Sequence, residues 1–80
     1  MRQQTAKKLP PISISKILID GDKITANLSD GRIVSIPIAW FPRLSNARLQ
    51  QLQNFQISPS GYGVHWPEID EDISIKVFIS

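Results

Sequence analysis

One segment, Pro37-Ile38-Ala39-Trp40-Phe41-Pro42-Arg43-Leu44, separates two kinds of sequence in this chain, with strand-like residues before it and helix-like residues after it. Each proline fixes its own φ angle and holds the preceding residue in an extended conformation, so Ile36 and Phe41 are expected to be extended. No helix is expected to begin before Pro42. Trp40 and Phe41 are the largest neighbouring apolar pair, and large aromatic side chains contribute most to a small core. We therefore predict that Trp40 lies in the core, where the sheet meets the helix.

Three segments before this corner have the β-branched, alternating pattern that is typical of strands. They cover residues 12–19, 23–28 and 33–36. The first segment has a break in its alternation near Ser15-Lys16, which predicts a β-bulge. Because short connections join the three segments, we expect a three-stranded antiparallel meander.

The connections contain strong turn signals. Asp20-Gly21-Asp22 joins the first two strands, and Ser29-Asp30-Gly31-Arg32 joins the second and third. Asp-Gly between alternating segments predicts a type I′ turn, in which both central residues have positive φ. Later in the chain, Gly61-Tyr62-Gly63 predicts a turn in which glycine lets the backbone pass close to a neighbour.

The segment after the corner predicts a helix over residues 47–54, because it is rich in Arg, Leu and Gln and lacks Gly and Pro. Ser45 or Asn46 can cap the start of this helix. One apolar stripe is expected to face the sheet: Leu49, Leu52 and Phe55.

The last third of the chain predicts a short extended segment over residues 64–67 and a turn over 69–72. Residues 73–79 alternate, which favours a strand, although Ser74 could instead cap a single helical turn. The predicted fold is therefore α+β. It consists of a three-stranded antiparallel meander, one helix packed on the sheet, a short returning strand, and a C-terminal strand or helical turn.

Composition limits the class of protein. The chain has 80 residues, no cysteine and a net charge of +2, so we predict a flexible basic tail over residues 1–11 and a single domain over 12–80. The absence of cysteine excludes disulfides and thiolate metal sites. No apolar segment approaches the roughly 20 residues that cross a membrane, and Leu9-Pro10-Pro11 stands where a signal peptide would be apolar. A cytoplasmic location without membrane contact is expected.

Four acidic residues lie between Glu68 and Asp72. Their spacing does not match a calcium loop, so neither a metal nor a cofactor is expected there. A turn that accepts backbone N–H groups is the simpler interpretation. Because a guanidinium can hold a carboxylate in bidentate fashion, we predict that Arg43 lies within hydrogen-bond reach of Asp70 or Asp72.

The candidates for catalysis are few. His65 is the only histidine, and Ser58 or Ser60 with His65 and Asp70 would supply a nucleophile, a base and an orienting acid. Nothing in the sequence marks a nucleophile elbow, so catalysis is not expected. The aromatic side chains could stack on bases, but a chain of this length needs them first for its core. They are Trp40, Phe41, Tyr62 and Trp66.

Several segments together resemble one known family, the small bacterial domain of unknown function 2442. The segments are Leu28-Ser29-Asp30-Gly31-Arg32, then Trp40-Phe41-Pro42-Arg43-Leu44 with Ala47, and Gly61-Tyr62-Gly63-Val64-His65-Trp66-Pro67-Glu68-Ile69-Asp70-Glu71-Asp72-Ile73-Ser74. The resemblance implies an α+β domain with a meander, a helix and a returning strand, and it implies no catalytic residues. It also implies a gene beside that of a small toxin-like protein, and in some members an added helix-turn-helix domain. The family tends to close with a helical turn, whereas residues 74–79 here are more β-branched.

The resemblance and the composition together give one functional hypothesis and one alternative. The hypothesis is a non-enzymatic protein-interaction module. It would be the antitoxin-like partner of a small toxin-like protein, or it would associate with further copies of itself. Its contact surface would combine a sheet edge or the C-terminal strand with the acidic turn. The alternative is a nucleic-acid-binding regulator that uses the basic N-terminal segment with Arg2, Lys7, Lys8 and Lys16. The structural and interaction candidates are Trp40, Pro42, Arg43, Trp66, Asp70 and Asp72.

Overall fold

The computed structural model describes residues 11–79, and the predicted basic tail lies almost entirely outside this range. The fold is α+β, as predicted, with two three-stranded antiparallel sheets and short helices. Within residues 11–79, none of the helices has the length and apolar character needed to span a bilayer. In chain order the elements are β1 Ile14–Asp20, β2 Lys23–Leu28, β3 Ile33–Pro37, a 3₁₀ turn Ile38–Trp40, α1 Pro42–Ser45, α2 Leu49–Leu52, β4 Gln56–Ile57, β5 Gly63–Trp66, β6 Glu71–Ser74 and α3 Lys76–Ile79.

The first sheet is the predicted meander, with strand order β1-β2-β3. Ile14 pairs with Leu28 and Lys16 pairs with Asn27, so the register shifts by one residue between Ile14 and Lys16. This is the β-bulge that the broken alternation predicts. On β2 the alternate side chains Ile24, Ala26 and Leu28 are buried, and this face forms one wall of the core.

The Asp30-Gly31 connection differs from the predicted two-residue turn. The N–H of Gly31 donates to the carbonyl of Leu28 at 3.0 Å, and the N–H of Leu28 donates to the carbonyl of Arg32 at 2.8 Å. The loop therefore contains three residues, and only Gly31 has positive φ (+96°) among them. Asp30 accepts the backbone N–H of Arg32 at 3.1 Å and its side-chain Nε at 2.7 Å. These hydrogen bonds hold the pKa of Asp30 below its ordinary value, the backbone one most of all.

The second sheet has strand order β4-β5-β6, with the predicted returning strand at its centre. β4 was not predicted, because residues 56–57 follow a segment with helical propensity. The register places Gln56 and Asp72 on either side of His65, and Ile57 and Ile73 on either side of Val64. Since side chains alternate along a strand, the first trio lies on one face and the second on the other.

The single helix predicted over residues 47–54 is wrong in its extent. Two one-turn helices form instead, and Arg48 between them is extended, with φ −77° and ψ 156°. The second helix ends at Leu52, whose carbonyl accepts the indole N–H of Trp66 at 2.8 Å. In a continuing helix, the Leu52 carbonyl would instead accept the backbone N–H of the residue four positions later. The predicted apolar stripe is consequently divided, since Leu52 is buried whereas Leu49 is 62% exposed.

The position predicted for Trp40 is also wrong. Its side chain is 61% exposed, and Trp66 is the tryptophan that is fully buried. Positions three apart in a 3₁₀ turn share a face, so Ile38 and Phe41 face the core and Trp40 points away from it. Phe41 is extended, as predicted, with φ −124° and ψ 101°.

Both sheets contribute to one core. Its buried members are Ile14, Ile17, Ile24, Ala26, Leu28, Ile36, Ile38, Leu44, Leu52, Val64, Trp66, Ile73, Ile75 and Phe78. A hydrogen bond connects the sheets, in which the N–H of Ile14 on β1 donates to the carbonyl of Gly61, shortly before β5, at 2.6 Å. The N–H of Ile75 donates to the carbonyl of Tyr62 at 2.8 Å and extends the β5–β6 ladder by one pair. Gly61 has φ +72°, and a Cβ there would lie 2.7 Å from the Cβ of Ser13. The close backbone approach predicted for this glycine is confirmed.

The C-terminal segment resolves the alternative that the sequence left open. The strand favoured for residues 73–79 ends at Ser74, and α3 follows. The hydroxyl oxygen of Ser74 accepts the N–H of Lys76 at 3.1 Å, which is the capping contact considered for this serine. A helical turn lets Ile75 and Phe78 both enter the core, whereas strand alternation would put Phe78 on the opposite face from Ile75.

Candidate functional site

Arg43 connects the corner to the acidic segment. It lies on α1, where Pro42 occupies the first helical turn, and its Nη1 donates to the backbone carbonyl of Asp70 at 2.7 Å. The predicted proximity of Arg43 and Asp70 is thus present, but the acceptor is a peptide carbonyl and not a carboxylate. Asp70 has φ +51°, the one positive value among the non-glycine residues of 11–79. Arg43 therefore stabilises a turn whose backbone is itself unfavourable.

Replacing Arg43 with alanine is expected to lower the free energy of unfolding by about 1 kcal/mol, because a single exposed hydrogen bond to a charged donor is lost. Urea denaturation followed by circular dichroism measures this change. Arg48→Ala is the matched control, since it removes the same charge from an exposed arginine nearby and should change stability by less than about 0.5 kcal/mol. Equal midpoints for the two variants would contradict the role given to Arg43.

The acidic residues do not act as one cluster. Glu68 Oε2 accepts the side-chain amide of Asn54 at 2.7 Å, and Asp72 lies in β6, where its Oδ1 is 2.7 Å from His65 Nδ1. The turn occupies residues 67–70, so the sequence placed it two residues too late. Within residues 11–79, no three histidine, aspartate or glutamate side chains converge as a metal site would require.

The outer face of the second sheet contains a cleft of about 400 Å³. Gly63 is one of the lining residues, and it pairs with Ser74 on β6 while its carbonyl accepts the N–H of Ser58 at 3.0 Å. Two residues further along β5, on the same face of the sheet, His65 pairs with Asp72. We call this site the His65 cleft, and it is lined by Ser58, Tyr62, Gly63, Val64, His65, Asp72, Ile73 and Ser74.

The His65 cleft contains two of the groups that a catalytic triad would need, a histidine and a carboxylate, but the described residues that line it offer no available nucleophile. His65 lies beside a carboxylate, but the partner is Asp72 and not the predicted Asp70. The hydroxyl oxygen of Ser58 accepts two backbone N–H groups, from Tyr62 at 3.0 Å and from Gly63 at 3.1 Å. Both of its lone pairs are occupied by the turn, which opposes its use as a nucleophile. The geometry gives Ser58 a structural role and leaves His65 as a polar group in an open cleft.

Large apolar side chains are exposed at several places on the described surface: Leu18, Ile33, Trp40, Leu49, Tyr62 and Ile79. Trp40 differs from the others in its setting. It ends a 3₁₀ turn that begins after Pro37 and is followed by a helix that begins at Pro42. Of the basic residues considered for nucleic-acid binding, Lys16 lies exposed on β1, and Arg2, Lys7 and Lys8 fall outside the described residues.

Comparison with known proteins identifies relatives but gives no activity. The sequence model of a family described as protein of unknown function, DUF2442, matches residues 14–79. A crystal structure of a protein of unknown function from Rhodospirillum rubrum ATCC 11170 is similar, with a TM-score of 0.76 and 25% sequence identity over 88% of this chain and 87% of that chain. No curated protein matches the sequence. The resemblance stated from the sequence is confirmed at the level of the family, and the chain belongs to DUF2442.

Proposed function

We propose that this chain is a non-enzymatic protein-interaction module of the cytoplasm, the antitoxin-like partner of a small toxin-like protein encoded by a neighbouring gene. The observation that carries the proposal is Trp40, a tryptophan that is 61% exposed on a proline-framed corner. Tryptophan is among the residues that contribute most to binding at protein interfaces. An exposed indole on a rigid corner is thus suited to enter a pocket on a partner.

Rigidity of the corner supports this role. The prolines fix two φ angles, and the backbone N–H of Phe41 donates to the carbonyl of Ile38 at 2.9 Å. Arg43 ties the following helix to the turn at Asp70. Because little conformational freedom remains to be lost on binding, more of the contact energy is available for affinity.

Charge near the corner favours a basic partner. The hydrogen bond from Arg43 to the Asp70 carbonyl brings the acidic turn beside α1. Glu68 and Asp70 are exposed there and carry two negative charges against the one positive charge of Arg43, so a net negative charge lies beside α1. A positively charged surface would complement this arrangement, which raises the rate of association and disfavours wrong partners.

Co-expression with the protein encoded by the adjacent gene tests the proposal. We expect the two proteins to copurify, and Trp40→Ala to weaken the complex about thirtyfold, since an interface hot spot contributes roughly 2 kcal/mol or more. Ile33→Ala is the control, because it truncates another exposed apolar side chain on the first sheet and should bind as wild type does.

Circular dichroism establishes that each variant is folded. Failure of the folded wild-type proteins to associate would overturn the proposal, and equal binding by Trp40→Ala would remove Trp40 as its anchor. Binding to DNA or RNA with an affinity that falls steeply with salt would support the alternative regulator that uses Lys16 and the N-terminal cations.

A further inference from the structure

We infer that the His65 cleft is a binding site for an arginine side chain of a protein partner. The cleft is separate from the Trp40 corner and lies on the outer face of the second sheet. Its volume of about 400 Å³ is within the range of pockets that bind small groups. The assignment of the arginine to a protein rests on the proposed function, whereas binding of the side chain by the cleft does not.

Asp72 supplies the negative charge. Its side chain is 74% exposed, and its Oδ1 contacts His65 Nδ1 at 2.7 Å. Its second oxygen, Oδ2, makes no hydrogen bond with residues 11–79. The contact with His65 fixes the carboxylate at the wall of the cleft, so its free oxygen is presented without a further loss of side-chain freedom. A guanidinium donates to such a carboxylate with strong, charge-assisted hydrogen bonds.

Tyr62 supplies the second recognition element. Its ring is exposed and lines the same cleft as Asp72. A planar guanidinium can stack on an aromatic ring while its edge donates to a carboxylate, which an ammonium group cannot do. Val64 and Ile73 are also among the lining residues, but their side chains face the core and are almost fully buried, so recognition of the guanidinium rests on Asp72 and Tyr62.

The other polar groups in the cleft are less suitable as acceptors. Ser58 Oγ already accepts two backbone N–H groups, and Ser74 Oγ accepts the N–H of Lys76. Asp72 is therefore the main acceptor for a cation. This arrangement predicts that recognition depends on one carboxylate and one aromatic ring.

Titration of the ¹⁵N-labelled full chain with the capped peptide Gly-Arg-Gly tests the inference by NMR. We expect saturable shifts of the backbone amides of Gly63, His65 and Ser74, and binding about tenfold weaker for the matched peptide that carries neutral citrulline. Asp72→Asn and Tyr62→Ala should each weaken binding of the arginine peptide. Glu71→Gln is the control, because it removes the same charge from the opposite face of β6 and should leave the affinity unchanged.

Several outcomes would overturn the inference. They are equal affinity for the citrulline peptide, undiminished binding by Asp72→Asn, and the absence of saturable shifts in the cleft up to the solubility limit of the peptide. The cleft could instead hold the chain's own basic segment. If replacing Arg2, Lys7 and Lys8 together with glutamine shifts the cleft amides without any peptide, the partner's arginine is the wrong occupant. Peptide binding without copurification would remove the proposed function and leave the cleft site, and copurification without peptide binding would do the reverse.

Discussion

Replacing Trp66 with alanine is expected to leave the chain largely unfolded at 25 °C. The side chain is completely buried, and truncation of a buried tryptophan costs about 3–5 kcal/mol. The Trp66 ring also lies 6.2 Å from that of Phe55, centroid to centroid, at an interplanar angle of 57°. Such tilted aromatic pairs contribute a further ~1 kcal/mol. The total stability of a domain of 80 residues is only about 4–12 kcal/mol, so this loss is between about a third and all of it.

Thermal unfolding followed by far-ultraviolet circular dichroism measures the effect. Trp40→Ala is the matched control, since it makes the same substitution at an exposed tryptophan and should shift the midpoint little. Trp66→Phe keeps most of the apolar volume but removes the N–H that donates to the carbonyl of Leu52. It should remain folded with a loss of about 1–3 kcal/mol, the cost of a buried carbonyl left without a donor. A midpoint for Trp66→Ala equal to that of wild type would show that this core assignment is wrong.

The second large effect is expected for Gly61→Ala. The backbone at Gly61 has φ +72°, which costs a residue with a side chain about 1–2 kcal/mol. The new Cβ would lie 2.7 Å from the Cβ of Ser13 and 2.9 Å from the carbonyl oxygen of Ile14. Neither atom is the end of a flexible side chain, so β1 must move, at a further cost of roughly 1–3 kcal/mol. The hydrogen bond from the N–H of Ile14 to the carbonyl of Gly61 would be strained by that movement.

Gly21→Ala separates the two contributions. Gly21 has a similar φ of +59°, but a Cβ there would find nothing within 4 Å. It should therefore show only the conformational cost, and urea denaturation of both variants gives the cost of the clash at Gly61 by difference. Equal destabilisation of the two variants would contradict the tight approach between β1 and the Gly61 backbone.

Local sequence signals were sufficient for the first sheet. Alternation of apolar residues gave the three strands, and the break near Ser15 gave the bulge. Local sequence signals are insufficient where a residue distant in sequence determines the secondary structure. Residues 47–54 have the propensity for a longer helix, but the Trp66 indole takes the carbonyl of Leu52 as its acceptor, and no pattern near Leu52 indicates that.

Burial of the two tryptophans shows the same limit. Side-chain size favours a core position for both tryptophans, and the prolines at positions 37 and 42 favour Trp40 as the residue at the sheet-to-helix corner. A signal for Trp66 was present, because Val64 and Trp66 share one face of a predicted strand while His65 lies on the other. The sequence does not predict the cleft, because the turn expected over residues 69–72 includes Asp72, which lies in β6. The turn in fact ends at Asp70, so residues 63–66 pair with residues 71–74. This register places His65 opposite Asp72.

Each of the two sheets is built from one continuous stretch of chain, since β1 to β3 lie within residues 14–37 and β4 to β6 within 56–74. A single backbone cut between Ala47 and Arg48 would leave every strand ladder complete, because it falls between α1 and α2. The core, however, would be divided, and fragments of this size bury too small a share of their apolar surface to be stable alone. We therefore expect two such fragments to regain order only by reassociating, because each half carries part of the shared core.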